Sequence, residues 1–274
     1  MSQFIIFSAF KYTLTAIINS DFSIKGFVVS FIPSNYFIIL YIVVFLISPY
    51  LNLIFENLDS KKRKFFIELM IVLFSVYPTV VDALIEVTKH SFNGLSSISM
   101  YGSQYGYTIV NFMLCYCIGA YIRFEDKKMD RIKTSRLLLV LLVCFLALTC
   151  WSVVNNHIGF YAERTAWEYC NPIVILSGMC MFLLFKRINI RNNKGINSFA
   201  KASLTVYLLH DSLVAHIGIE DFVNRNIAIL VLHILLTSIG IYFVCWLISV
   251  LYSKFEKYVF GYLEKKYNAL IIDV

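Results

Sequence analysis

Nineteen of the 24 Lys and Arg residues sit in four short clusters, at 61–64, 123–136, 186–201 and 254–266. Between the clusters the chain is almost continuously apolar. Each apolar interval is long enough to cross a bilayer and return, at about 20 helical residues per crossing. Lys and Arg of short loops stay on the cytoplasmic side, so the clusters mark one face of a membrane. The other cations are Lys11, Lys25, Lys89, Arg164 and Arg225, and the last four fall one per loop on the opposite face. This pattern dictates an all-α, polytopic integral membrane bundle forming a single domain over 1–274.

Composition agrees. The chain is 59% apolar and 15% charged, against about 25% charge in a soluble domain. Its 24 Phe and 18 Tyr cluster near the ends of apolar runs, as interfacial belts do. The net charge of +7 does not point to nucleic acid, because the cations are distributed by topology and not gathered into one binding stripe. Seven Cys show neither Cys-x-x-Cys nor zinc spacing and read as small apolar residues. No metal site is expected, and no cleavable signal peptide is evident.

Eight spans are predicted: 4–18, 36–55, 65–85, 105–124, 137–154, 172–185, 199–217 and 227–252. With the N-terminus inside, every even span ends at a basic cluster, so both termini are expected in the cytoplasm. The outer loops are then 19–35, 86–104, 155–169 and 218–226. The tail after Tyr252 reads as short and amphipathic.

Ionisable groups inside a membrane are costly and are functional candidates by default. His210 and Asp211 lie in the most polar span. The imidazole can take a proton from a hydroxyl; adjacent helical residues do not face one another, so Asp211 is not expected to hold His210. The plainer reading makes His210 a structural hydrogen-bonding residue and Asp211 a hydrated cap. Asp82 and Glu86 share one helical face and suit acid–base or cation chemistry, although such residues more often mark entry into water. His157, Glu163, Arg164 and Glu168 share one outer loop. Arg164 suits an anionic group, against the reading of a solvated loop. His233 is explained by a helix–helix hydrogen bond. No Gly-x-Ser-x-Gly, His-Glu-x-x-His, P-loop or dinucleotide fingerprint is present.

Four segments carry a resemblance. Asn35-Tyr36-Phe37 with Ile47-Ser48-Pro49-Tyr50-Leu51-Asn52, then Gly119-Ala120-Tyr121-Ile122-Arg123, then Tyr169-Cys170-Asn171-Pro172, then Ser203-Leu204-Thr205-Val206-Tyr207-Leu208-Leu209-His210-Asp211 resemble, in order, motifs of the bacterial acyltransferase-three family. The resemblance covers roughly 30–215, with Thr205 where Gly is usual. It implies an integral membrane enzyme of the bacterial plasma (inner) membrane. An acyl group, acetyl above all, would pass from acyl-CoA (acetyl-CoA) to a hydroxyl of a cell-surface or lipid-linked glycan. With that reading, His210 and Asp211 stand as the candidate catalytic pair, and Asp82, Glu86, His157, Arg164 and Tyr207 as the candidate acceptor contacts. Arg123, among the basic inner residues, would meet the CoA phosphates. Family members begin with spans bearing an Arg and a His base, and no counterpart precedes Asn35. The chain therefore reads as the last two-thirds of such a protein, and little transfer is expected from it alone. A non-catalytic membrane subunit and a glycan flippase are the alternatives; no pair of broken spans favours the flippase.

Overall fold

A computed structural model of the chain describes residues 2–32, 36–92, 104–159, 165–215, 217–218, 220–223 and 225–272. Every regular element among them is helical. In chain order these are α1 (Ser2–Ile18), α2 (Ile24–Ser30), α3 (Tyr36–Asn57), α4 (Ser60–Ile71), a π-helical turn (Val72–Val76), α5 (Tyr77–Thr88), α6 (Ile109–Phe124), α7 (Asp126–Asp130), α8 (Thr134–His157), α9 (Pro172–Lys186), α10 (Lys194–Lys201), α11 (Ser203–Val214), α12 (Glu220–Val223) and α13 (Ile227–Ile272). Four stretches are long and apolar enough to cross a membrane: Tyr36–Asn57, Ser60–Thr88, Thr134–His157 and Ile227–Val259. Three shorter apolar helices are Ile5–Ile17, Ile109–Phe124 and Pro172–Lys186.

Two prolines test the helices. Pro49 lies inside α3, and its missing N–H leaves the carbonyl four residues back without an amide. That carbonyl is Phe45 O, and Ser48 Oγ donates to it at 2.7 Å. Pro78 follows the π-helical turn, where Tyr77 N donates five residues back to Val72 O. The wider turn makes room for a proline ring that would otherwise press on the previous turn. The predicted third span therefore runs unbroken from Ser60 to Thr88.

The chain divides into a central unit, Asn35–Asn189, and a terminal unit, Met1–Ser34 with Ile190–Val274. In the central unit α3 and α4 pack on α6, and α8 packs along α9. Its core includes Phe55, Ile67, Leu114, Cys117, Leu137 and Leu183. Phe55 stacks on Phe124 at 6.1 Å and meets Phe66 edge-on. Outside that core, Leu138, Leu139, Leu142, Val143, Phe145 and Leu146 are each more than half exposed. So broad an apolar surface needs lipid, not water, around it.

In the terminal unit α11 packs against both α1 and α13, around Phe7, Leu209, Cys245 and Tyr252. The predicted span 199–217 is not one helix here. It breaks at Ala202 into α10 and α11. Phe199 O accepts from Tyr242 Oη at 2.9 Å and from Ala202 N at 3.0 Å, and the Phe199 ring stacks on Trp246. Those contacts draw α10 onto α13 and leave α11 with 12 residues. The last helix also departs from expectation: it continues to Ile272 without a stop at Tyr252.

Candidate functional site

The predicted carboxylates of the third span belong to a larger polar stripe. Ser75, Thr79, Asp82 and Glu86 follow one another at intervals of three or four residues, the spacing of one helical face. Ser75, Thr79 and Glu86 are buried, with Glu86 only 4% exposed, and Asp82 is half-buried. Glu86 therefore does not mark entry into water. Its Oε2 accepts from Thr165 Oγ1 at 2.7 Å, while Thr165 N donates to Glu168 Oε1 at 3.3 Å. One threonine thus joins two carboxylates. Glu168 is also buried, which overturns the solvated-loop reading for that residue.

The segment 165–171 is held in place by its own sequence. Asn171 Oδ1 accepts from Ile173 N and caps α9, whose first residue is Pro172. Asn171 Nδ2 donates back to Thr165 O at 2.7 Å and Ala166 O at 3.3 Å. Ser75 Oγ donates to Cys170 O at 2.5 Å. Tyr169 N donates to Tyr105 O at 3.1 Å. Thr165 and Tyr105 have φ of 49° and 57°, a left-handed conformation worth about 1–3 kcal/mol of strain for residues other than glycine. Gly106, at φ +80°, passes so close that a Cβ would lie 2.6 Å from Cys170 N. Thr108 then caps α6, which is why that helix starts at Ile109 and not at the predicted 105.

Beside these polar groups lie three exposed tyrosines. Tyr107 meets Tyr36 edge-on at 4.8 Å and Tyr169 edge-on at 5.1 Å. The buried carboxylates and amides hold this segment in place, and the three exposed rings present flat apolar faces with polar tips on its surface.

The central unit's basic end is built differently. Arg63 Nε donates to Phe55 O at 2.7 Å, satisfying a carbonyl at the end of α3. Its guanidinium lies 4.6 Å from the Phe124 ring and 3.4 Å from Glu125 Oε1. Glu125 is buried and also meets Lys128 at 2.7 Å and Ser60 Oγ at 2.9 Å. The Lys128 ammonium, ahead of Ser60 and Arg63, holds the Glu125 carboxyl below the usual carboxylate range against the opposing effect of burial. Lys186 bridges Asp126 and Asp130, and Arg187 donates to Thr134 Oγ1 and Met129 O.

In the terminal unit, His210 Nδ1 lies 3.0 Å from both Val206 O and Tyr207 O. Carbonyls only accept, so Nδ1 carries a proton and donates back into the helix. Nε2 lies 3.1 Å from Asp211 Oδ1. The expectation that Asp211 does not hold His210 is therefore corrected: the ring lies along the helix surface and brings Nε2 within reach of its neighbour. The His210 side chain is 41% exposed and Asp211 74%. Tyr207 is half-buried, its ring 6.2 Å from the imidazole.

The other predicted residues separate. His157, the last residue of α8, is exposed, and so is Arg123 in the last turn of α6. Glu163 and Arg164 lie outside the described residues. His233 makes no hydrogen bond through its buried Nε2 among the described residues. It stacks on Phe222 at 3.8 Å instead. Thr165 and the Arg63–Glu125 network were not singled out by sequence, whereas Asn171 stood in one of the quoted motifs. The stripe from Ser75 to Glu86 and the Asn171-Pro172 helix start were the legible signals for that region.

Four helices of crossing length among the described residues, bearing broad exposed apolar faces, mark a membrane protein. The family model described as an acyltransferase domain matches residues 3–250. The chain belongs to that acyltransferase-three family and is, by family, a membrane acyltransferase. The match extends on both sides of the motif-bearing stretch 30–215. No curated protein matches the chain, and no solved structure does.

Proposed function

We propose that the chain transfers an acyl group, acetyl above all, from acyl-CoA to a hydroxyl of a cell-surface or lipid-linked glycan at the bacterial plasma membrane. The observation that carries this reading is the accessible His210: its Nδ1 bonds to helix carbonyls, and its Nε2, 3.1 Å from Asp211 Oδ1, is the ring nitrogen left within reach of an incoming hydroxyl. The hydroxyl oxygen attacks the thioester carbonyl carbon, a C–O bond forms and the C–S bond breaks. The hydroxyl proton passes to Nε2, where Asp211 stabilises the charge, and then to the departing CoA thiolate. Tyr207, its ring 6.2 Å from the imidazole, and Asp82, His157 and Arg164 are the acceptor contacts of this reading; buried Glu86 acts through the Thr165 it holds. Tyr36, Tyr107 and Tyr169 offer faces for pyranose rings. Arg123 and the basic cluster at 61–64 attract the phosphates of CoA.

The reading includes eight crossings with both termini cytoplasmic. Its support is that four stretches are of crossing length and three shorter helices are apolar, and that the basic clusters alternate without a break. Single cysteines placed in a cysteine-free background test it. One at Asn156 reacts with an impermeant reagent from outside and one at Asn193 does not; labelling at Asn193 in sealed cells overturns the topology. For the activity, membranes containing the chain are given labelled acetyl-CoA and glycan. Ester-linked label above an empty-vector control is the result this reading requires, against the sequence-based expectation of little transfer by this chain alone. Its absence leaves the non-catalytic subunit as the better account.

A further inference from the structure

Two hollows lie along the same helix pair of the central unit, and neither has a role in the chemistry above. The first is an open cleft of about 580 Å³ where α7, the start of α8 and the end of α9 meet. Arg131, Lys133, Thr134, Lys186 and Arg187 line it, with Asp126 and Asp130. Lys186 occupies both aspartates. Arg187 spends one bond on Thr134 and one on Met129 O and keeps further N–H donors. Arg131 and Lys133 are exposed, and neither side chain has a hydrogen bond or ion pair among the described residues. The lining is left with a net positive charge of about two, carried by groups that have donors to spare.

The second hollow is an apolar groove of about 440 Å³ lined by Leu138, Leu141, Leu142, Phe145, Trp167 and Ser177, with Leu148 at its floor. It is continuous in register with the first. Thr134, Leu138, Leu141, Leu142, Phe145 and Leu148 recur at the spacing of one face of α8. From Thr134 to Leu148 that face runs about 21 Å at 1.5 Å per residue, the length scale of one lipid chain. On α9 the groove is lined by the small side chain of Ser177. The cationic cleft sits where the apolar helix begins, which is the headgroup level of a bilayer.

We propose that this pair of hollows is a binding site for an anionic glycerophospholipid. Its phosphate sits among Arg131, Lys133 and Arg187, and an acyl chain lies in the α8–α9 groove. Basic pockets between membrane helices on the cytoplasmic side recognise anionic headgroups in this way. The groove alone would accept any lipid chain. The unpaired cations add the preference for charge, and the shared helical face ties the two into one ligand.

The test uses the purified full chain, reconstituted in vesicles of equal phosphatidylglycerol and phosphatidylcholine and then extracted in mild detergent. Lipid retained per chain is measured by native mass spectrometry. Phosphatidylglycerol is expected at least about tenfold above phosphatidylcholine. Arg131→Gln combined with Lys133→Gln should abolish the preference while leaving the thermal unfolding temperature unchanged, since both side chains are exposed and unpaired. Leu142→Trp, also at an exposed position, should fill the groove and lower retention of phosphatidylglycerol. Equal retention of the two lipids overturns the proposal, as does a preference that survives the double substitution. Coenzyme A binding at Arg131 and Lys133 that ignores Leu142→Trp also overturns it, and makes the cleft a site for a soluble phosphate ester.

Discussion

Three carboxylates of the central unit, Glu86, Glu168 and Glu125, are buried, whereas Asp211 of the terminal unit stands open. Glu86, Glu168 and Glu125 are each about 5% exposed or less. Each accepts from named donors: Thr165 for the first two, and Lys128, Ser60 and Arg63 for the third. Asp211 is 74% exposed, and its side chain meets the histidine beside it. The difference separates two jobs. A carboxylate whose lone pairs are taken up by fixed donors orders the backbone around it and is a poor proton acceptor. An imidazole with one nitrogen committed and the other accessible is ready for proton transfer. The central unit is accordingly read as the frame and binding surface, and the α11 pair as the chemistry.

Substitutions that remove fixed partners should act on stability, and substitutions in the α11 pair on rate. The largest structural effect is expected from Thr165→Val. It keeps the shape but removes the Oγ1 donor from buried Glu86, at a cost of roughly 1–3 kcal/mol. Thermal unfolding in detergent should show a lower midpoint; an unchanged midpoint breaks the claim that these carboxylates are framework.

Glu125→Gln should cost somewhat less, about 1–2 kcal/mol, because Lys128 stays largely hydrated. The acid dependence gives the sharper reading. The carboxyl of Glu125 is held below its ordinary value in the folded chain. Its contribution is therefore complete above the unfolded carboxylate value near about 4 and is lost as pH falls through the lower folded value. Unfolding midpoints of the wild-type and Glu125→Gln chains should converge below about pH 4. A gap that persists unchanged to lower pH would assign the cost to packing.

Much of this arrangement was legible from the sequence, and the exceptions have physical causes. The basic clusters and apolar runs placed the four helices of crossing length, because lipid leaves a helix of that length few alternatives. Helix ends moved where a side chain took a terminal amide, as Thr108 does for α6. The break at Ala202 came from tertiary contacts of Phe199 with Tyr242 and Trp246, which periodicity does not encode. Glu86 was visible as an intramembrane carboxylate, but its partner Thr165 is 79 residues away, and no local pattern links them. His210 and Asp211 were found by their place in an apolar span. Their contact was missed because the ring folds back along the helix.

The smallest effect is expected from Asp211→Asn. The pair is exposed, and exposed pairs contribute about 0.2–1 kcal/mol, so acyl transfer should fall by no more than about fivefold. Loss of two orders of magnitude would mean that Asp211 holds the reacting tautomer and not merely the charge.

The account turns on His210 Nε2 as the proton acceptor. The direct measurement compares acetyl transfer from labelled acetyl-CoA to glycan by membranes holding equal amounts of wild-type and His210→Gln chain. Gln keeps a donor and an acceptor for the helix and its surroundings but cannot take up the hydroxyl proton. The account predicts unchanged abundance and unfolding temperature with at least a roughly 100-fold loss of rate, the size typical of a general base. Near-normal transfer by His210→Gln at equal abundance would contradict it and return His210 to a purely structural role.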